Sequence, residues 1–332
     1  MKAAVLGTGS WGTALAQVLD DNGHDVTMYG VDADEVNEIN LRHSNSRYFH
    51  GVKLSKTLTA TMDAKAAVEG AQLVLITVPT KFVAMALNTV KPYIKPGTLV
   101  VNASKGFDVN TDKRMTETVR AILGECGILP VVSIIGPSHA EEVILRRITA
   151  ICAVSTDADS AKMAQEAFSN NYMRLYINDD EIGAEYGVAI KNVIALASGM
   201  LSGLGYGDNS RAALVTRGLA EMIRYCMAKG GKLETCAGLA GIGDLVVTCF
   251  SPHSRNYQAG VIIGQDDDAA GFLRDNIKTV EGVYSCKVIF EDARDNCDFE
   301  LPIISGVYDI LFNGAHPSET LKALMDRPLK SE

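Results

Sequence analysis

Apolar residues fall into short solid runs and longer periodic stretches, and through the first half of the chain the two alternate. Residues 3–6 (AAVL), 25–29 (DVTMY), 72–78 (QLVLITV), 98–103 (TLVVNA) and 131–135 have strand length and little internal polarity, as expected of strands buried on both faces of a parallel sheet. Helices are expected between them over 13–19, 33–41, from 79 to about 94, and 111–124. Residues 42–62 are polar with scattered basic groups and one short β-like run, which reads as a crossover with a short strand and a solvated charged face. Two further β-like runs, 149–155 and 172–177, flank a helix over 158–170. From residue 180 the pattern becomes almost wholly helical. Residues 181–204 are small or apolar nearly all round, as in a helix buried on most faces; helices follow over 211–228, after 257, after 282 and as a last pair from about 301. Residues 266–268 form an acidic surface turn. The chain is therefore expected to be α/β, with an N-terminal Rossmann-like domain of mostly parallel sheet over 1–180 and a C-terminal all-α domain over 181–332. No internal repeat, low-complexity tract or long linker interrupts it.

The join between the first strand and first helix carries the chemistry most directly. Gly7-Thr8-Gly9-Ser10-Trp11-Gly12 matches G-x-G-x-x-G, immediately after a strand-length run and before a helix. Gly7 allows the tight turn, Gly9 lets backbone approach a pyrophosphate, and Gly12 lets helix pack on strand with its first amides facing an anion. This context distinguishes a dinucleotide cradle from a glycine turn of another α/β protein. Asp32 stands twenty residues beyond Gly12, where an acid often holds the adenine ribose hydroxyls, which would favour NAD; the same position would also suit a cap of the next helix.

Further candidates lie along the chain. Lys105, in Ser104-Lys105-Gly106, follows a strand at the expected carboxyl edge of the sheet, and is either a site residue or a surface lysine. Ser138 and Glu141 have capping-box spacing, which accounts for both structurally. His139 reads as a helix-start side chain without chemistry. Lys191 and Asn192 sit inside the apolar stretch, with Ala189, Ile190, Val193 and Ile194 around them. A lysine there is costly to bury unless paired or deprotonated, which favours a proton-exchanging group over a snorkelling one. Asp244 is the one charge in a glycine-rich apolar window, 237–245. Ser254, Arg255 and Asn256 open a helix, where hydroxyl, guanidinium and amide donors would suit an anion; an ordinary cap with a surface arginine explains them as well.

Composition narrows the classes. The 332 residues are 47% hydrophobic and 21% charged, ordinary for a globular chain long enough for two domains. Forty acidic against 31 basic residues give a net charge of −9, which supplies no basic patch for nucleic acid, so none is expected as a partner. Apolar runs are strand-sized and no charged-then-apolar leader precedes the first strand, so a cytoplasmic protein without membrane insertion is expected. The seven cysteines show no C-x-x-C pair or His/Cys cluster at metal-ligand spacing, which predicts reduced thiols and no metal site.

Taken together, GTGSWGTALA from Gly7, SKGF from Ser104, GPSHAEE from Gly136, AIKNVIALASGM from Ala189, TRGLAEM from Thr216, AGIGDLVVTC from Ala237, SRN from Ser254 and VEG from Val280 resemble the bacterial-type NAD(P)-dependent glycerol-3-phosphate dehydrogenases over essentially the whole chain. The resemblance implies interconversion of sn-glycerol 3-phosphate and dihydroxyacetone phosphate, supplying phospholipid backbones, with NAD(P) as cofactor and a phosphate-bearing small molecule as substrate. It implies that Lys191 is the proton acceptor, with Lys105, Asn192 and Asp244 around the reacting oxygens. Ser254, Arg255 and Asn256, with Gly136 and Ser138, are implied at the substrate. Gly7, Gly9, Ser10, Trp11, Gly12, Val31, Asp32, Lys105, Ala140, Arg255, Thr279 and Glu281 are implied at the cofactor, and a homodimer is implied as well. Two positions depart from the family. Val31 stands where NADPH-preferring members carry a basic residue, and His139 where many carry phenylalanine. Rival expectations are a related β-hydroxyacid or ketoacid dehydrogenase and a dinucleotide sensor without turnover.

Overall fold

The structure is a computed structural model describing residues 1–275 and 280–329. The chain divides into two compact units, Met1–Glu181 and Ile182–Glu332.

The first unit is built on eight strands: β1 (Lys2–Leu6), β2 (Asp25–Tyr29), β3 (Thr59–Thr61), β4 (Leu73–Ile76), β5 (Leu99–Asn102), β6 (Val132–Ile135), β7 (Thr149–Val154) and β8 (Met173–Asn178). Seven helices connect them: α1 (Ser10–Asp21), α2 (Ala33–Arg42), α3 (Ala64–Val68), α4 (Thr80–Val90), α5 (Met115–Leu123), α6 (Ala140–Val143) and α7 (Ala158–Phe168). The sheet order is β3-β2-β1-β4-β5-β6-β7-β8. Its first six strands follow the doubly wound dinucleotide order, whose direction reverses between β1 and β4. All pairs are parallel except β6–β7. That reversal has a local cause: the β6–β7 connection carries only the four-residue α6, too little helix to cross over and bring β7 back parallel. Both sheet faces are apolar and covered, with Ala3, Val5, Leu73, Leu75 and Val101 in one core and Ala4, Leu6, Val74, Ile76 and Val100 in the other. Such two-sided burial is why these strands are solid apolar runs rather than alternating ones.

Three local expectations need correction. The helix expected over 111–124 begins at Met115, because Asp108 organises a loop before it: its carboxylate accepts the Asn110 amide at 2.9 Å and the Thr118 hydroxyl at 3.1 Å, and Phe107 bridges to Arg114. The α-helix expected to about Ile94 stops at Val90, with a 3₁₀ turn over Lys91–Tyr93 containing Pro92, which cannot donate the next helical hydrogen bond. The capping box at Ser138 and Glu141 does not form. Helix α6 starts one residue later with His139 at its N-cap, and the Ser138 hydroxyl donates to the Gly136 carbonyl at 3.0 Å instead.

The second unit is helical: most of α8 (Glu181–Gly203), then α9 (Asp208–Ala228), α10 (Leu233–Cys236), a π-helical turn over Leu239–Gly243, α11 (Asp244–Phe250), α12 (Arg255–Asp266), α13 (Ala270–Asp275), α14 (Glu281–Asn296), α15 (Pro302–Phe312) and α16 (Pro317–Met325). Helices α8 and α12 meet through glycines. A side chain at Gly199 would lie 2.1 Å from the Tyr257 carbonyl, and one at Gly260 would lie 2.1 Å from that of Leu196. The two backbones touch there, which fixes the start of α12 against the middle of α8. Among the described residues one helical run, Leu233–Phe250, is long and apolar enough to cross a membrane; it is divided among α10, the π turn and α11. The acidic turn also does more than face solvent: the Asp267 carboxylate accepts the Ser318 amide and hydroxyl at 2.8 and 2.6 Å, capping α16. All seven cysteines are free thiols.

Candidate active site

At the carboxyl end of β1 the chain makes its glycine turn beside the order reversal, where open α/β sheets bind ligands. Gly7 has φ +117°, a conformation that glycine takes without strain, and its amide donates to the Tyr29 carbonyl at 2.9 Å. A Cβ at Gly12 would lie 2.2 Å from the Gly7 carbonyl oxygen, so the turn and the first helical turn are in backbone contact. At Gly9, by contrast, a Cβ would meet nothing within 4 Å. The space beside Gly9 is therefore open, and no side chain caps the first turn of α1. This combination fits a pyrophosphate. The Trp11 ring packs against the core while its buried indole Nε1 has no hydrogen-bond partner among the described residues.

Behind the turn, a polar scaffold ties it to the loop after α2. Asn45, fully buried, donates to the Thr8 carbonyl at 2.7 Å and the Thr13 hydroxyl at 2.9 Å. The Thr8 hydroxyl donates to Glu35 Oε2 at 2.6 Å. Asp32 is the N-cap of α2: its Oδ1 accepts the amides of Asp34 at 2.9 Å and Glu35 at 3.3 Å. Of the two roles open to Asp32, the cap is therefore occupied. Arg47 lies 3.3 Å from Asp32 and 3.0 Å from Glu35; its side chain is 64% exposed, in keeping with the solvated face expected for residues 42–62, but the guanidinium is also paired. Val31 is 76% exposed.

Elsewhere in the first unit, the Ser104 hydroxyl donates to the Val78 carbonyl at 2.6 Å, fixing the loop after β5. From this loop Lys105 Nζ reaches the Gly136 carbonyl at 3.4 Å. Ser138 converges on that same carbonyl, so Lys105, Gly136 and Ser138 form one cluster. Gly136, at φ +152°, leaves no room for a side chain against Ile151. His139 and Ala140 follow at the start of α6, where the His139 carbonyl accepts the amides of Glu142 and Val143.

In the second unit, Lys191 and Asp244 meet. Lys191 Nζ is 2.5 Å from Asp244 Oδ1 and donates to the Thr248 hydroxyl at 3.0 Å; Thr248 in turn donates to the Asp244 carbonyl at 2.6 Å. Both charged side chains are at least 95% buried. The lysine is thus paired rather than isolated, and the carboxylate offsets the desolvation that favours a neutral amine. Burial pushes the adjacent Cys249 thiol up to about 12, keeping it neutral. One helix position from Lys191, Asn192 Oδ1 accepts from Asn256 Nδ2 at 3.0 Å, and Asn256 Oδ1 accepts the Gly282 amide at 2.9 Å. Ser254 caps α12, its oxygen accepting the Tyr257 amide at 3.2 Å; Arg255 is exposed beside it. Glu281 opens α14 next to Gly282, and Thr279 lies outside the described residues.

The structure thus joins Lys191 to Asp244, Asn192 to Asn256, and Lys105 to Gly136 and Ser138. Two participants escaped the sequence reading. Thr248 follows Asp244 by one helical turn, a spacing that could have flagged it. Arg47 carried no such signal, since its partners are set by the path of a loop.

A glycine turn of this form at the reversal of a doubly wound sheet, in a chain that also buries a lysine–carboxylate pair in a helical unit, defines a dinucleotide-dependent dehydrogenase. Comparison with known proteins makes this particular. Residues 2–161 match the model of the NAD-dependent glycerol-3-phosphate dehydrogenase N-terminus, and residues 180–322 that of its C-terminus. A glycerol-3-phosphate dehydrogenase (NAD(P)+) of Limosilactobacillus reuteri is 44% identical, covering 100% of this chain and 98% of its own; one from Bacillus anthracis is also 44% identical, at 100% and 97%. The crystal structure of glycerol-3-phosphate dehydrogenase from Coxiella burnetii superposes with a TM-score of 0.90 at 36% identity, over 98% of this chain and 99% of that one. The chain belongs to the NAD-dependent glycerol-3-phosphate dehydrogenase family. It is an NAD(P)-dependent oxidoreductase acting on a small-molecule substrate.

Proposed function

We propose that this enzyme interconverts sn-glycerol 3-phosphate and dihydroxyacetone phosphate with Lys191 as the acid/base, and that it supplies glycerol 3-phosphate for phospholipid synthesis. The observation carrying this reading is the buried Lys191–Asp244 pair, with Thr248 as a third partner. When bound, the nicotinamide supplies or accepts the hydride. In the reductive direction the Lys191 ammonium gives a proton to the substrate oxygen as the carbonyl becomes a hydroxyl; in oxidation the neutral amine takes that proton back. Asp244 serves the lysine in both directions, holding Nζ in place and keeping the ammonium available in a site that otherwise disfavours charge. Lys105 and Asn192 are the further groups for stabilising negative charge on the substrate.

Ser254, Arg255 and Asn256 hold the substrate phosphate, with Gly136 and Ser138 also at the substrate. Ser254 accepts a backbone amide with its oxygen yet keeps its O–H to donate, and Arg255 is exposed for a charge-assisted bond. Anchoring the phosphate positions the reacting carbon, an effect that can supply several kcal/mol. Residues 1–180 serve as the dinucleotide-binding domain and 181–332 as the substrate and catalytic domain. Gly7, Gly9, Ser10, Trp11 and Gly12 form the cradle; Val31 and Asp32 lie at the ribose, and Lys105, Ala140, Arg255 and Glu281 are further residues for the cofactor. On this reading the enzyme works in the cytoplasm as a homodimer. The test is the initial rate of NADH and NADPH oxidation with dihydroxyacetone phosphate, for the protein and for Lys191→Met. Turnover lost by about 10²-fold or more in the variant is expected; unchanged turnover would remove Lys191 from the chemistry.

A further inference from the structure

The loop after α2 brings a guanidinium to the end of β2, where an arginine invites two opposite readings. It could grip the 2′-phosphate of NADP, replacing the basic residue absent at Val31, or it could hold Asp32 for the ribose hydroxyls of NAD. We propose that this enzyme selects NAD(H) over NADP(H), with Asp32 as the discriminating carboxylate and Arg47 as the residue that positions it. The inference rests on the dinucleotide reading of the glycine turn.

Charge decides between the two readings. Arg47 already faces two carboxylates, Asp32 at 3.3 Å and Glu35 at 3.0 Å, and Asp34 adds a third in the same helical turn. Three carboxylates against one guanidinium leave the region negative, and a 2′-phosphate would enter against that charge. The start of α2 offers the phosphate no substitute. The amides of Asp34 and Glu35, which an anion would otherwise use, donate to Asp32 Oδ1. A ribose hydroxyl meets the opposite situation. Asp32 keeps 42% of its side chain exposed, and Oδ2 has lone pairs beyond the one facing Arg47, so it can accept a hydroxyl proton.

The surroundings hold this arrangement in one place. Glu35, only 10% exposed, receives Arg47, the Tyr48 hydroxyl at 3.2 Å and the Thr8 hydroxyl of the glycine turn. Glu38 accepts the Ser44 hydroxyl and both the amide and hydroxyl of Ser46 at 2.9 to 3.0 Å, and Asn45 anchors the loop to the turn from inside. Arg47 therefore comes from a braced loop, and its guanidinium, though its side chain is 64% exposed, already faces Asp32 and Glu35. Releasing it for a 2′-phosphate would leave the buried Glu35 carboxylate without its guanidinium and close to a second anion.

The experiment measures dissociation constants of NADH and NADPH by energy transfer from Trp11, the only tryptophan, to the bound reduced nicotinamide, checked by calorimetry. NADH is expected to bind roughly tenfold or more tighter than NADPH. Asp32→Asn keeps an N-cap side chain of equal quality, so the helix survives while the charge is lost. In this variant the NADH:NADPH preference should collapse by about tenfold or more, with NADH weakened and NADPH strengthened. Arg47→Ala should weaken NADH several-fold without weakening NADPH further, and Arg47→Lys should restore part of the loss. Equal affinity in the wild-type protein, or tighter NADPH binding abolished by Arg47→Ala, would overturn the proposal and leave the dehydrogenase reading intact. Binding of neither dinucleotide would overturn the cradle and the proposal together. Binding without turnover of dihydroxyacetone phosphate would count against the proposed reaction alone.

Discussion

Lys191 Nζ and Asp244 Oδ1 lie 2.5 Å apart with almost no solvent access. A pair buried this deeply has both a structural and a chemical consequence, and the two can be separated. Removing either partner leaves an uncompensated buried charge, so Lys191→Met or Asp244→Leu alone should cost about 3–5 kcal/mol. The double substitution removes both charges and should recover most of that loss. Turnover should not recover with it, remaining about 10²-fold or more below the wild type. Chemical denaturation and the rate with dihydroxyacetone phosphate read the two effects separately. A stable double variant with full activity would show that the pair only holds the helices.

Gly9 and Gly12 make a second separable pair. A methyl at Gly12 would sit 2.2 Å from a backbone oxygen, and Gly12→Ala should cost more than about 3 kcal/mol because neither backbone can yield. At Gly9 the methyl enters open space, and its φ of −68° suits alanine. Gly9→Ala should therefore cost no more than about 1–2 kcal/mol, the difference between glycine and alanine as N-caps. Dinucleotide affinity should nevertheless fall at least tenfold, since the space filled is the one a pyrophosphate needs. Calorimetric binding on the folded variant decides it; undiminished affinity would place the cofactor elsewhere.

Much of this was legible beforehand, for identifiable reasons. Strands such as Leu73–Ile76 are buried on both faces and so had to be solid apolar runs. The glycine turn was legible because only glycine suits Gly7 and Gly12. Direction was not: nothing in the composition of β7 says that it runs against β6, since that follows from how little helix the connection carries. The small residues of α8 signalled burial, but not that Gly199 faces the backbone of α12. Ser138 and Glu141 had the spacing of a cap without the helix start it required. Arg47 was the least legible, because its role depends on Asn45 and Glu38 shaping a loop whose sequence reads as solvated.

Asn256 connects α8 to the start of α14 by donating to Asn192 Oδ1 and accepting the Gly282 amide. Asn256→Ala leaves a buried acceptor and a buried N–H without that partner, at an expected cost of about 1–3 kcal/mol. Because the amide also belongs to the proposed phosphate clamp, KM for dihydroxyacetone phosphate should rise roughly tenfold, the worth of a charge-assisted hydrogen bond. A stability loss with unchanged KM, measured well below the melting temperature, would confine Asn256 to the scaffold.

Glu221 gives the fold a pH dependence of definite sign. It is buried on α9, and its two carboxylate oxygens accept the amides of Ile303 at 2.8 Å and Ile304 at 3.2 Å in the first turn of α15. Burial pushes its pKa up to about 7 from 4.5, outweighing the two amides and the nearby Arg224 and Arg217. The folded protein therefore holds this proton more tightly than the unfolded chain, which releases it near 4.5. Stability from this group is fully present below about 4.5 and is lost as pH rises to about 7, for a total of up to about 3 kcal/mol. Glu221→Gln cannot titrate and offers one carbonyl oxygen to two amides, so it should be less stable at pH 5 while its stability falls less between pH 5 and 7.5. Denaturation of both proteins across that range tests the slope. Parallel curves would mean that Glu221 stays ionised in the folded protein, held by the α15 amides and its arginines against the cost of burial.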